Sequence, residues 1–133
     1  MKDYSVEIDF KTAATEVYRE TAFAAKERGE YSHVATEDDY SMIERFFIGA
    51  MPALRGAFGR HLKGSDENIV YSMPENWAVD EDSIKRCCFE FLVNTALARW
   101  FALSGSGEMY AGVANGALEN ISFLLNKRIK PIR

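Results

Sequence analysis

Two adjacent cysteines, Cys87 and Cys88, are the most nucleophilic side chains in this 133-residue sequence. A cysteine nucleophile needs a positioned base, usually histidine. The two histidines are His33, in a predicted loop, and His61, near a predicted helix end. Neighbouring residues of a helix point about 100° apart, so the two thiols cannot form a disulfide with each other without strain. We interpret the pair as small buried apolar residues, with a reactive thiol pair as the alternative.

The remaining polar residues give little indication of a metal site or of acid–base catalysis. The histidines show none of the His-x-x-x-His, Glu-x-x-His or Cys-x-x-Cys spacings of metal sites. The acidic clusters Asp38-Asp39 and Asp80-Glu81-Asp82 precede predicted helices, where the helix dipole favours negative charge. The run from Ser104 to Gly107 lacks the Lys of a P-loop and is interpreted as a linker. We therefore predict no catalytic residue, no cofactor and no metal, and a protein that is not an enzyme.

The C-terminal segment stands out by its charge. Residues 1–126 carry 12 Lys and Arg against 20 Asp and Glu, whereas residues 127–133 carry four basic residues and no acidic ones. This basic tail could lie across an acidic patch of a neighbouring subunit, could contact nucleic acid, or could be a solvated, frayed terminus. The docking residues would be Lys127, Arg128, Lys130 and Arg133.

Three further residues are candidates for protein–protein contact. Trp77, in the turn Pro74-Glu-Asn-Trp77, could be an exposed anchor for a partner or could close the turn over the core. The pair Gly112-x-x-x-Gly116 permits close approach of another helix. That helix could belong to the same domain or to a second subunit.

Hydrophobic periodicity predicts the elements that position these residues. We expect a mainly α, four-helix bundle-like domain with a minor two-stranded β element, in the order β-α-α-β-α-α. Pro52 should kink or break the second helix near Gly49–Pro52. The third helix should lie at the centre of the domain, because its middle, 87–102, is too apolar for a helix with one solvent-exposed side. The predicted ranges are strands at 4–10 and 69–73 and helices at 11–28, 36–62, 81–103 and 107–126.

Length and composition limit the classes of protein to which this chain could belong. The chain is long enough for one domain with a proper core, which we place at residues 1–126, followed by the tail 127–133. It contains no apolar run of about 18 residues that would predict a membrane span, and its first ten residues do not resemble a secretory signal. Unpaired cysteines then suggest a reducing cytoplasm.

Several short stretches resemble small proteins encoded in the structural gene clusters of tailed phages and prophages of gut bacteria. They are the opening strand, the start Thr36-Glu-Asp-Asp39, the turn Met73-Pro-Glu-Asn-Trp77, the helix with Phe91-Leu-Val-Asn94 and Ala98-Arg-Trp-Phe101, and the basic end containing Pro131. By size and helical content these proteins resemble head–tail connector (adaptor) proteins.

This resemblance implies a virion structural protein, made in the bacterial cytoplasm and placed in the neck of the virion. It would form a homo-oligomeric ring of about a dozen copies. Its partners would be the portal and other neck or tail proteins, and DNA would pass through an acidic lumen without sequence-specific binding. The alternative is a small soluble protein-binding module or regulator that acts on a host protein.

Overall fold

The computed structural model describes residues 1–28, 34–63, 68–102 and 107–126. Within these ranges the fold is mainly helical with a small two-stranded sheet, which confirms the predicted class and element order. The elements are β1 (Lys2–Val6), α1 (Phe10–Arg28), α2 (Tyr40–Phe58), β2 (Ile69–Met73), α3 (Glu81–Trp100) and α4 (Gly107–Leu125).

The two strands pair antiparallel, as the sequence predicts. Tyr4 faces Tyr71 in the register, and their rings stack with centroids 5.3 Å apart. The predicted range 4–10 for the first strand was wrong, since β1 covers Lys2–Val6. Asp9 explains the difference, because its Oδ1 accepts hydrogen bonds from the backbone N–H groups of Lys11 and Thr12 and so starts α1 early.

The start of the second helix differs slightly from the prediction. A short 3₁₀ turn, Glu37–Asp39, follows Thr36, and α2 itself begins at Tyr40. The Asp39 carboxylate accepts a hydrogen bond of 2.9 Å from the backbone N–H of Thr36. The acidic start predicted at Thr36 is therefore present, as a 3₁₀ turn that leads into the helix.

Pro52 does not break α2, so the predicted break was wrong, whereas the alternative prediction of a kink stays a prediction. The helix continues from Tyr40 to Phe58 with Pro52 inside it and exposed. A proline inside a helix costs about 3 kcal/mol, but Met51 and Leu54 on either side are buried, and each contributes about 1.5–3 kcal/mol. The helix ends before Gly59, whose φ of 53° lies in the left-handed region.

The third helix lies at the centre of the domain, as predicted. It packs against α1, α2 and α4, and Asp80 caps its start by accepting a 3.1 Å hydrogen bond from the backbone N–H of Ser83. The expectation that its middle has no wet side was wrong. Within 87–102, Glu90 and Arg99 remain exposed. Glu90 lies on a strip of α3 that α1 and α4 leave uncovered between them.

One hydrophobic core joins all six elements. Among the described residues, Thr21 is the single polar residue in that buried set. Its Oγ1 donates to the carbonyl of Tyr18 and accepts the backbone N–H of Ala35, each over 2.9 Å. The hydroxyl thus joins α1 to the segment that precedes α2.

Candidate interaction surfaces

The adjacent cysteines lie inside the core. Both thiols are free and buried, and burial raises the pKa of Cys88 to about 12. Nδ2 of Asn120 donates a hydrogen bond of 3.2 Å to Cys87 Sγ. A thiol that stays protonated at neutral pH is a poor nucleophile. The pair therefore holds the position expected of small apolar residues.

Trp77 closes a turn over the core. Its backbone N–H donates to the carbonyl of Pro74 over 3.1 Å, and its half-buried ring packs against the core cluster. The ring of His61 approaches it edge-on, with centroids 5.8 Å apart. The other histidine, His33, lies outside the described residues. The predicted role of Trp77 in an interface stays a prediction, with only part of the ring available to a partner.

Asp39 and Asp80 act as local caps near helix starts. Asp80 accepts from both the backbone N–H and the hydroxyl of Ser83, and Asp39 accepts from Thr36. Within residues 1–28, 34–63, 68–102 and 107–126, no three His, Cys, Asp or Glu side chains converge to hold a metal ion. None of the helices in these ranges is long and apolar enough to cross a membrane.

The glycines of α4 face open space. A Cβ built at Gly112 or at Gly116 meets no described atom within 4 Å. No packing within the described part of the domain therefore accounts for this pair. Gly107 shows the contrast, since a Cβ there would lie 2.7 Å from the carbonyl oxygen of Ala98. The close approach of α3 and α4 depends on Gly107, whereas Gly112 and Gly116 are free for contact with another molecule.

Large apolar side chains lie on the same side of α4 as Gly116. Met109, Val113 and Phe123 are 53%, 48% and 64% exposed. With Gly116 they follow steps of four, three and seven residues, which places them along one stripe of the helix. We call Met109, Gly112, Val113, Gly116 and Phe123 the outer face of α4. Its large side chains are apolar, and the described chain leaves them uncovered. Val113, Gly116 and Phe123 line a hollow to which the polar residues Glu119 and Asn120 also contribute.

A groove runs between α1 and α4, with α3 as its floor. Its volume is about 550 Å³, and we call it the acidic groove. Three carboxylates, Glu16, Glu20 and Glu90, and one cation, Arg86, line it. The remaining lining residues are Phe89, Val93, Asn94, Leu97, Met109, Tyr110 and Val113. Sequence reasoning missed this groove, since the spacing of its acidic residues along the chain gives no indication that they converge.

A second groove lies between α2, α3 and α4 and has a volume of about 630 Å³. Most of its lining is alanine and glycine, and its charged groups are Arg99 and Glu108. It contains neither histidine nor cysteine.

The predicted tail residues Lys127, Arg128, Lys130 and Arg133 lie outside the described residues, as does the start of the Ser104–Gly107 linker. Comparison of the chain with protein-family models, with curated proteins and with solved structures found no match. The fold and these surfaces therefore carry the functional argument.

Proposed function

We propose that this protein is a non-enzymatic assembly subunit that self-associates, and that it serves as a ring subunit of a phage head–tail connector. The observation that carries the proposal is the uncovered outer face of α4. Apolar side chains that lie together on a surface are characteristic of protein–protein contact. The glycines allow the backbone of a partner helix to come close.

The chemistry of the described residues supports an assembly role over an enzymatic one. The two thiols are buried, and the carboxylates at the helix starts are engaged with backbone groups. What remains available is surface for contact: the outer face of α4 and the two grooves beside it. A subunit whose task is to hold neighbours requires surfaces of this kind.

The charge of the chain fits the connector proposal. Residues 1–126 have a formal net charge of −8, from 12 basic and 20 acidic residues. A ring built from such subunits would present an acidic lumen, and like charge keeps DNA from adhering during passage. The resemblance to small structural proteins of tailed phages agrees with this role.

The experiment that tests the proposal measures the mass of the protein in solution by size-exclusion chromatography with light scattering. The wild type should elute as an oligomer, alone or after mixing with the portal protein encoded in the same gene cluster. The double variant V113E/F123E should stay monomeric, because carboxylates would then be buried at the contact. M42E/I48E is the matched control, since it places two charges at exposed apolar positions of α2.

Two results would count against the proposal. A wild type that stays monomeric with and without the portal protein contradicts self-association. Equal assembly of V113E/F123E and of wild type would show that the outer face of α4 is not the contact. Recovery of one stable partner from host lysate, bound to a monomer, would favour the alternative of a small module acting on a host protein.

A further inference from the structure

We propose that the acidic groove between α1 and α4 binds the basic segment 127–133 of a second copy of the chain. This inference rests on the proposed self-association and names the contact that would link one subunit to the next. It follows from the charge of the groove, the charge pattern of the segment and the reach of the segment from the end of α4.

The groove is negatively charged above an apolar floor. Glu16 and Glu20 lie on its α1 side, and Glu90 rises from the exposed strip of α3. Arg86 is the single cation among the residues that line it, so the lining carries a net charge of −2. Val93 and Leu97 are buried below these groups. A ligand suited to this groove is basic at its edges and apolar in its centre.

The carboxylates of the groove retain unused acceptor capacity. Glu20 Oε1 accepts a hydrogen bond of 3.4 Å from the hydroxyl of Tyr110, and Glu16 lies 3.7 Å from the guanidinium of Arg19. Both distances are long, and a carboxylate has room for about four hydrogen bonds. Arginine and lysine of an incoming segment can therefore bind these oxygens without displacing a short hydrogen bond.

The segment 127–133 has the matching pattern. It reads Lys-Arg-Ile-Lys-Pro-Ile-Arg, with four cations that flank Ile129 and Ile132. Pro131 fixes its own φ and biases the residue before it toward extended backbone. An extended chain sends successive side chains to opposite sides, which lets isoleucines face an apolar floor while cations face the rim.

At the α1 side of the groove, the reach of the segment favours a second copy over the same chain. Tyr110 reaches Glu20, and 16 residues of helix separate Tyr110 from Asn126, a length of about 24 Å. Seven extended residues span at most about 23–25 Å. In its own chain the segment could bring no more than Arg133 beside Glu20, and only by running straight back along α4. A second copy can place the whole segment in the groove.

The test is an NMR titration of the full-length, isotope-labelled variant K127E/K130E, whose own segment no longer competes for the groove, with a synthetic peptide of the wild-type residues 127–133. The peptide should shift the amide signals of groove residues in a saturable way, and raised salt should weaken it. The variant E16K/E20K should bind roughly tenfold more weakly, because two attractive contacts become repulsive. The control E7K/E27K makes the same change in net charge at exposed positions outside the groove.

The possible results test binding of the segment in the acidic groove independently of ring formation. Saturable shifts confined to the groove and lost in E16K/E20K support it. The absence of shifts, shifts elsewhere on the surface, or equal loss of binding in E7K/E27K overturns it, even if the protein forms a ring. Binding of the peptide by a protein that never assembles would instead contradict the proposed ring and leave the groove as a recognition site for this segment.

A mixing experiment then tests exchange between copies. E16K/E20K lacks a competent groove and K127E/K130E lacks a competent segment, so each should sediment as a smaller species than the wild type. Equimolar mixing should restore association, since each pair then holds one intact groove and one intact segment. Failure of the mixture to associate, with wild type associating under the same conditions, would exclude binding between copies.

Discussion

Ala35 donates its backbone N–H to Oγ1 of Thr21 over 2.9 Å, and both residues are buried. The bond joins the chain before α2 to the middle of α1. The hydroxyl also donates to the carbonyl of Tyr18, so its hydrogen-bonding capacity is largely used. Without this acceptor, the buried N–H of Ala35 would be unpaired, which would destabilise the folded state.

Replacing Thr21 by valine should lower the free energy of unfolding by about 1–3 kcal/mol, because the N–H of Ala35 loses its acceptor while the shape is kept. Urea denaturation followed by circular dichroism measures the change. T15V is the control on the same helix, since the hydroxyl of Thr15 is exposed and bonds only within α1. Equal effects of the two substitutions would show that the Thr21–Ala35 bond is not a significant contact.

The glycines of α4 should respond in opposite directions to alanine. Gly116→Ala should raise the free energy of unfolding by about 0.5–1 kcal/mol, since alanine is the better helix former and its Cβ meets nothing described. Gly107→Ala should lower it by about 1–3 kcal/mol, because the Cβ would lie 2.7 Å from the Ala98 carbonyl oxygen. Thermal and urea unfolding at concentrations where the chain is monomeric measure both. Destabilisation of the monomer by Gly116→Ala would indicate an intrachain contact at that glycine.

Acid should destabilise the fold partly through Asp9. The Thr12 hydroxyl, followed by the backbone N–H groups of Thr12 and Lys11, lowers the pKa of this carboxyl below 3.8. A lowered pKa adds stability that is present above pH 3.8 and is lost as the pH falls through the folded-state pKa. Asp9→Asn should therefore flatten the fall in urea midpoint at acid pH. Glu7→Gln, an exposed carboxylate in the same segment, is the control and should leave the slope nearly unchanged.

The cysteines should be inert to a thiol reagent in the folded protein. Burial raises the pKa of Cys88 to about 12, so little thiolate exists at neutral pH. In the variant C87S, Ellman's reagent should label Cys88 only as fast as the protein unfolds, and urea should make the labelling immediate. Rapid labelling of the folded variant would revive the interpretation of a reactive pair.

The sequence predicts the elements of this fold well and its surfaces poorly. Alternation around Tyr4 and the β-prone run 69–73 predicted two strands, and helical periodicity predicted four helices, because local patterns report which side of an element is buried. The break at Pro52 was wrong, since burial of the flanking Met51 and Leu54 offsets the lost hydrogen bond.

The acidic groove and the outer face of α4 depend on how the helices pack against one another, which a local sequence pattern does not show. Glu16 and Glu90 are 74 residues apart and meet in one groove because α1 and α4 leave part of α3 uncovered. The exposure of Gly112 and Gly116 likewise depends on which side of α4 turns toward α3. Both features follow from helix packing, which periodicity alone leaves open.

Native mass spectrometry of the purified protein, with negative-stain images of the same sample, tests directly whether the protein forms a ring. We predict a closed ring of about a dozen subunits, alone or on the portal protein, because a head-to-tail contact that closes on itself forms a cyclic oligomer. The ring should be lost in V113E/F123E and kept in M42E/I48E. A protein that remains a monomer under every one of these conditions would contradict the account.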